Sequence, residues 1–311
     1  DEHGYQGMKR VAYISDPVYL KHDTGAGHPE SALRLRAVEN AIEPLKPNLI
    51  TPKPVCADEE LLLSVHLCTQ IEEVMECSRV AASIDSDTIC SFDSYHAART
   101  AVGAGVVAVD GIVAGEFERA FCAVRPPGHH ATPTKAMGFC LFNNIAIAAR
   151  YAQKKGFKRV FIIDFDVHHG NGTQDAFWED DTVFYFSTHQ AFAYPGTGME
   201  DHIGEGIGKG FTKNVLLMPD SGDAELLDIY RNDLPSLVES FAPDIVLVSA
   251  GYDLHESDPL AQLQVTTEGV RSMIRAMLDT IKTPCIFFLE GGYDVNALGE
   301  NVKATIEEML R

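Results

Sequence analysis

FIIDFDVHHGNG, residues 161–172, begins as a strand bound for the interior and ends in groups that an interior strongly disfavours. Side chains on a strand alternate faces with period two. On that period Ile162, Asp164, Asp166 and His168 share one face, and Phe161, Ile163, Phe165 and Val167 the other. Two carboxylates and an imidazole in line within an apolar strand carry a desolvation cost of several kcal/mol per unpaired ion. A cation against that face is the simplest compensation. Asp oxygen and His nitrogen are typical ligands of a borderline divalent metal such as zinc, and Asp166 and His168, two apart at a strand end, can both point at one ion.

The same arrangement recurs along the chain. Short apolar runs rich in β-branched and aromatic residues occur at 11–15, 120–124, 159–164, 182–187, 214–218, 244–251 and 285–292. Helical stretches such as 95–114, 143–154, 223–240, 266–281 and 295–311 separate many of them. Strands alternating with helices predict a parallel sheet covered on both faces, with the ligand site beyond the carboxyl ends of the strands. Five of these runs empty polar groups onto that rim: RPPGHH at 125–130, FDVHHGNG at 165–172, THQ at 188–190, YDLHESDP at 252–259 and Tyr293-Asp294. One strand ending in His or Asp means little; five together mark an active site.

A third metal ligand must come from another strand, and Asp253 in SAGYD is well placed, with His255 the competing choice. Three protein ligands leave a coordination position for water, the arrangement of catalytic sites. The tandem His129-His130 follows a rigid Pro-Pro-Gly turn, which brings a proton acceptor for neutral pH to the rim. Tyr293 follows Gly291-Gly292, a pair that lets backbone approach a ligand closely, and its phenol is suited to donating to an oxyanion.

The whole chain narrows the class. Its 311 residues contain no linker, repeat or low-complexity tract, so one domain is expected over 8–311, with residues 1–7 a remnant ahead of a natural start at Met8 or without order. No signal peptide is read at the start, and no apolar run approaches the roughly 18 residues of a membrane span. Seven scattered cysteines without a C-x-x-C pair imply free thiols in a reducing, cytoplasmic setting. A formal charge of −20 argues against a nucleic-acid partner and suits a cationic one.

Taken together, RPPGHHA, GFCLFNN, DFDVHHGNGTQ, YPGTG, SAGYDLHESDPL and LEGGYD, with GAGHPE at 25–30, resemble the zinc-dependent histone deacetylase and acetylpolyamine amidohydrolase family, in its class II-like bacterial branch. The resemblance spans nearly the whole chain. It implies the single-domain α/β arginase/deacetylase fold, a central parallel sheet of about eight strands between helices. It implies one zinc held by Asp166, His168 and Asp253. His130 would be the general base, with His129, paired to Asp164, as its electrostatic partner, and Tyr293 would stabilise the oxyanion. It further implies a structural potassium at Asp164, Ser187 and the carbonyls of Asp166, His168 and Thr188. Gly138, Phe139, Tyr194, Leu260 and Gly291 would line the substrate tunnel.

One departure is expected to shift the pH profile: Asn171, a neutral partner for His130, stands where class I enzymes place an aspartate. The substrate expected is an acyl-lysine peptide or protein, with acetylated polyamines and other acylated amines as the alternative; a homo-oligomer is compatible. An arginase-like binuclear ureohydrolase would need further carboxylates near residues 170 and 251, where the chain has glycine. A non-catalytic acyl-lysine module would not need Tyr293.

Overall fold

The computed structural model describes residues 7–311, so the expectation of a remnant over 1–7 falls, but for Gly7, outside the described residues. Eight strands form one parallel sheet: β1 Val11–Ile14, β2 Leu49–Ile50, β3 Arg119–Cys122, β4 Val160–Asp164, β5 Val183–Gln190, β6 Thr212–Leu217, β7 Ile245–Ala250 and β8 Cys285–Leu289. Their spatial order is β2-β1-β3-β8-β7-β4-β5-β6. The seven strands anticipated from apolar runs are all present; β2, two residues long and partly exposed, has no such run to mark it.

Every residue of β1, β4, β5, β7 and β8 is buried, as a sheet covered on both faces requires. Helices Ser94–Val113 and Asn144–Lys154 pack together as one layer, and helix Val295–Met309 packs between Leu33–Ile42 and Thr267–Thr280 in the other. The single helix expected over 223–240 is broken. Asp223–Asp228 and Leu234–Phe241 are joined by a π-helical turn at Ile229–Asp233, which carries the buried Tyr230 to the hydroxyl of Thr188 at 2.9 Å.

The strand order positions the site. The chain passes from β3 to β4 and only later inserts β7 and β8 between them. The segments leaving β3, β4, β7 and β8 are therefore neighbours at one rim although they lie far apart in sequence.

Candidate active site

Strand β4 stops at Asp164, earlier than the alternating pattern of 161–168 suggests. Asp166 and His168 lie on the loop beyond it, and hydrogen bonds rather than pleat aim their side chains. Asp166 Oδ1 accepts the His168 N–H at 2.9 Å, and its Oδ2 accepts the Gly291 N–H at 2.8 Å. Asp253, beyond β7, accepts the Val167 N–H at 3.0 Å. His168 Nδ1 then lies 3.0 Å from Asp253 Oδ2 and 3.4 Å from Asp166 Oδ1. One ligand atom from each of the three falls within 4.8 Å of the others. His255 is excluded from this group: its ring faces Ser257 and Thr267 on the outer loop.

The electrostatics of this trio favour a cation. Burial, reinforced by the charge of Asp166, pushes the Asp253 carboxyl up to about 7. Burial also opposes ionisation of Asp166, but His129 and His168 outweigh it and hold that carboxyl well below its usual range. At His168 burial disfavours the charged ring, yet the two carboxylates push its pKa up to about 10. A positive charge is thus wanted at the centre of the trio, and an O, N, O donor set suits a divalent ion.

Glycines make the space. A Cβ at Gly251 would strike Asp166 Oδ2, and one at Gly170 would strike Asp164 Oδ2 and Tyr185 Oη. These are the two positions where a binuclear site would need carboxylates, and neither has room for a side chain. Gly291 is wedged similarly, its Cβ position 2.7 Å from Asp166 Oδ2. With its N–H committed to Asp166, Gly291 supports the carboxylates and does not line the pocket.

The two histidines after β3 have opposite environments. His129 Nδ1–H donates to Asp164 Oδ2 at 2.9 Å, while Asp164 also accepts from Tyr185 Oη at 2.9 Å. Burial disfavours the His129 cation, but Asp164, Asp166 and Glu290 outweigh it and raise its pKa well above the ordinary value. His130 Nδ1–H donates to Asn171 Oδ1 at 2.8 Å. Burial, then the neighbouring His129, lowers its pKa well below the ordinary value. With Nδ1 engaged, Nε2 of His130 is its basic atom.

Around His130 opens a pocket of about 240 Å³ lined by Asp87, Gly138, Phe139, His168, Tyr194, Leu260 and Tyr293. Phe139 stands edge-on to Tyr293, ring centroids 5.8 Å apart, and Tyr194 stands edge-on to His130 at 5.3 Å. Gly138, at φ +57°, lies against the His130 ring: a Cβ there would sit 2.6 Å from Cδ2. Leu260 and Tyr194 are half-exposed at the mouth. Ser187 and Thr188 lie in β5, with Ser187 opposite Asp164 in register and its hydroxyl 2.8 Å from His189 Nδ1.

Several supporting residues were not among the expected site residues. Glu30 and Arg34 are wholly buried, whereas Leu33, next to Arg34 at the start of helix Leu33–Ile42, is exposed. Glu30 bridges Arg34 at 2.9 Å and Arg125 at 2.8 Å. Arg34 also donates to the carbonyls of Gly292 at 2.7 Å and Glu290 at 2.6 Å, tying down the segment that carries Tyr293. Glu290 accepts the N–H groups of Gly128 and His129 at 2.8 and 3.1 Å. His66 accepts from the Asn143 N–H at 2.9 Å and reaches the Thr132 carbonyl at 3.0 Å. Two signals were available: Glu290, a carboxylate closing an apolar strand, and Glu30, the last residue of GAGHPE. Arg34 looks like an ordinary surface helix residue, and Asp87 an ordinary loop one.

Comparisons with known proteins place the chain in a family. The histone deacetylase domain family matches residues 28–309. Histone deacetylase 14, chloroplastic, of Arabidopsis thaliana is 40% identical over 91% of this chain and 73% of its own length. A probable deacetylase of Methanothermobacter thermautotrophicus is 40% identical over 94% of this chain and 88% of its own. Among solved structures, the HDA15 HD domain superposes with a TM-score of 0.93 at 34% identity, covering 97% of this chain and 89% of that one.

Proposed function

The chain belongs to the histone deacetylase family, and on that premise we propose that it is a zinc-dependent amidohydrolase that removes acetyl or other acyl groups from lysine side chains. The observation that carries this reading is the convergence of Asp166, His168 and Asp253, of which His168 also lines the pocket of His130 and Tyr293. Those three residues would hold the zinc. When bound there, zinc supplies Lewis acidity: it activates water near neutral pH and polarises the amide carbonyl.

The remaining steps belong to side chains. His130, kept neutral by burial beside a raised His129, takes a proton at Nε2 and returns it to the departing amine. Asn171 fixes the tautomer without adding negative charge, so His130 is less basic than it would be beside an aspartate. Asp164 holds His129 in place. The Tyr293 hydroxyl donates to the oxyanion as the carbonyl becomes tetrahedral. Phe139, Tyr194 and Gly138 wall the lysine chain, excluding water from it.

A potassium ion is proposed beside this centre, at Asp164, Ser187 and the carbonyls of Asp166, His168 and Thr188. What supports it is that the Asp166 and His168 carbonyls accept no hydrogen bond among the described residues, next to a fully buried Asp164. The catalytic unit is taken as residues 8–311. No helix among the described residues is long and apolar enough to cross a membrane, and all seven cysteines are free thiols. The thiols favour a reducing compartment. The cytoplasm is our reading, and the chloroplastic relatives make an organelle the alternative.

Acetylated polyamines are the second reading of the substrate. It is favoured by Asp87, whose carboxylate lines the mouth and has no hydrogen-bond or ion-pair partner among the described residues. One experiment tests both: elemental analysis, with turnover of acetyl-lysine peptides, longer acyl-lysines and acetylated polyamines. One zinc per chain and a preference for acyl-lysine are expected. Two tightly bound transition metals would end the mononuclear reading, and a tenfold preference for the polyamine would reverse the substrate assignment.

A further inference from the structure

Asp258 lies on the loop between β7 and helix Thr267–Thr280 and is buried. Its two carboxylate oxygens go to two different parts of the pocket. Oδ1 accepts the N–H of Leu260 at 2.9 Å, and Oδ2 accepts the N–H of Tyr293 at 2.8 Å. Leu260 stands half-exposed at the mouth, and Tyr293 lines the same pocket below it. One planar group therefore joins the rim loop to the segment that carries the phenol.

The Tyr293 hydroxyl has no hydrogen-bond partner among the described residues, so the main chain and the ring's neighbours set its position. Gly292 precedes it at φ +117°, a conformation available to glycine and rarely to other residues. Such a joint does not orient the next residue; external ties must. On one side Arg34 holds the Gly292 carbonyl and lies 5.1 Å over the Tyr293 ring. On the other, Asp258 alone holds the Tyr293 amide. Arg34 fixes the base of the segment and Asp258 links its tip to the rim.

We propose that Asp258 is a positioning residue that couples contact at the Leu260 rim to the placement of Tyr293. A substrate long enough to press on the rim then gains turnover as well as affinity. This rests on the reading of Tyr293 as the oxyanion donor. The physical basis is general: binding energy from remote parts of a substrate accelerates reaction only when it is realised in the transition state, and small misplacements of a donor cost large factors in rate.

The test uses the zinc-loaded enzyme with two substrates, a minimal capped acetyl-lysine amide and an acetyl-lysine peptide that spans the rim. In the wild type the peptide should show the higher kcat. Asp258→Asn places an NH2 against one of the two N–H donors. It should remove that kcat advantage, lowering peptide kcat about tenfold with KM shifted far less, while metal content is kept. Asp258→Glu, which restores the charge at a displaced position, should recover part of the advantage, and it carries the test if the Asn variant does not fold. A wild type with equal kcat on both substrates, or variants that lower both by one common factor, would overturn the coupling. Tyr293→Phe separates the two ideas. If it turns over like wild type, the oxyanion reading has failed; if it is crippled while Asp258→Asn behaves as wild type, only the coupling has.

Discussion

On the proposed reading, the Tyr293 hydroxyl separates an amidohydrolase from a pocket that only binds acyl-lysine. Replacing it with Phe keeps the ring against Phe139 and under Arg34 and removes only the donor. Tyr293→Phe is expected to keep fold and metal while kcat falls by about 10²–10³, the usual loss for one oxyanion donor. Steady-state kinetics with metal analysis check it; turnover near wild type would mean that the metal suffices. Leu260 is the second informative residue. It stands half-exposed at a mouth that also carries the carboxylate of Asp87. Leu260→Glu adds a carboxylate for a distal ammonium, in a setting where a rim ion pair contributes about 1 kcal/mol. The ratio of kcat/KM for N8-acetylspermidine to that for an acetyl-lysine peptide should rise several-fold, and an unchanged ratio would show that Leu260 only packs the loop.

The elements that matter most for the site are the strand ends, where glycines replace side chains to let carboxylates in. Gly251, directly after β7, is the sharpest case, because its missing Cβ is the space that Asp166 Oδ2 occupies. Its φ is not in the left-handed region, so Gly251→Ala is penalised by crowding alone. Overpacking of this kind costs about 1–3 kcal/mol. The variant is expected to lose zinc to a weak chelator that leaves wild type loaded, although no ligand has been changed. Retention of zinc equal to wild type would show that Asp166 can shift without cost. These glycines are visible in the sequence as GNG, SAG and EGG, but their purpose is not. A glycine reads as a turn until the group that fills its space is known.

Across the whole molecule, the buried charges under the site make stability depend on acid. His22 is buried, 2.7 Å from Ser94 Oγ; burial and then the positive charge of Arg125 lower its pKa to about 4. Burial opposes ionisation of Glu30, but Arg125 and Arg34 outweigh it and lower its pKa to about 2. Between pH 6.5 and 4 the unfolded chain takes a proton at His22 that the folded one refuses, so stability falls as pH falls through that window. Between pH 4.5 and 2 Glu30 adds a second loss of the same sign. Each is worth about 3 kcal/mol by linkage, and the two do not add fully, because His22 Nε2 lies 3.9 Å from Glu30 Oε1. Denaturant midpoints measured from pH 7.5 to 4.5 should decline in the wild type and decline less in His22→Gln. Parallel curves would assign the acid sensitivity to other groups.

Local features could be read from the amino-acid order alone: which runs are buried strands, that helices separate them, and which donors come after each strand. Apolar runs and period are properties of neighbours in the chain, so seven of eight strands were legible, and so were the three residues that converge as a candidate metal group, with Asp253 and His255 still in competition. The rest came from tertiary contact. It ended β4 at Asp164, so that hydrogen bonds aim Asp166 and His168, and it turned His255 outward. It buried Glu30, Arg34 and Arg125 as one network and gave Asp258 two amides to hold. The ties of Glu30 to Arg125, Arg34 to Glu290 and Asp258 to Tyr293 have no local signal, because each joins segments that only the strand order makes neighbours, with β7 and β8 entering between β3 and β4. That insertion brings together loops distant in sequence, and only their meeting makes a buried charge tolerable or a glycine necessary.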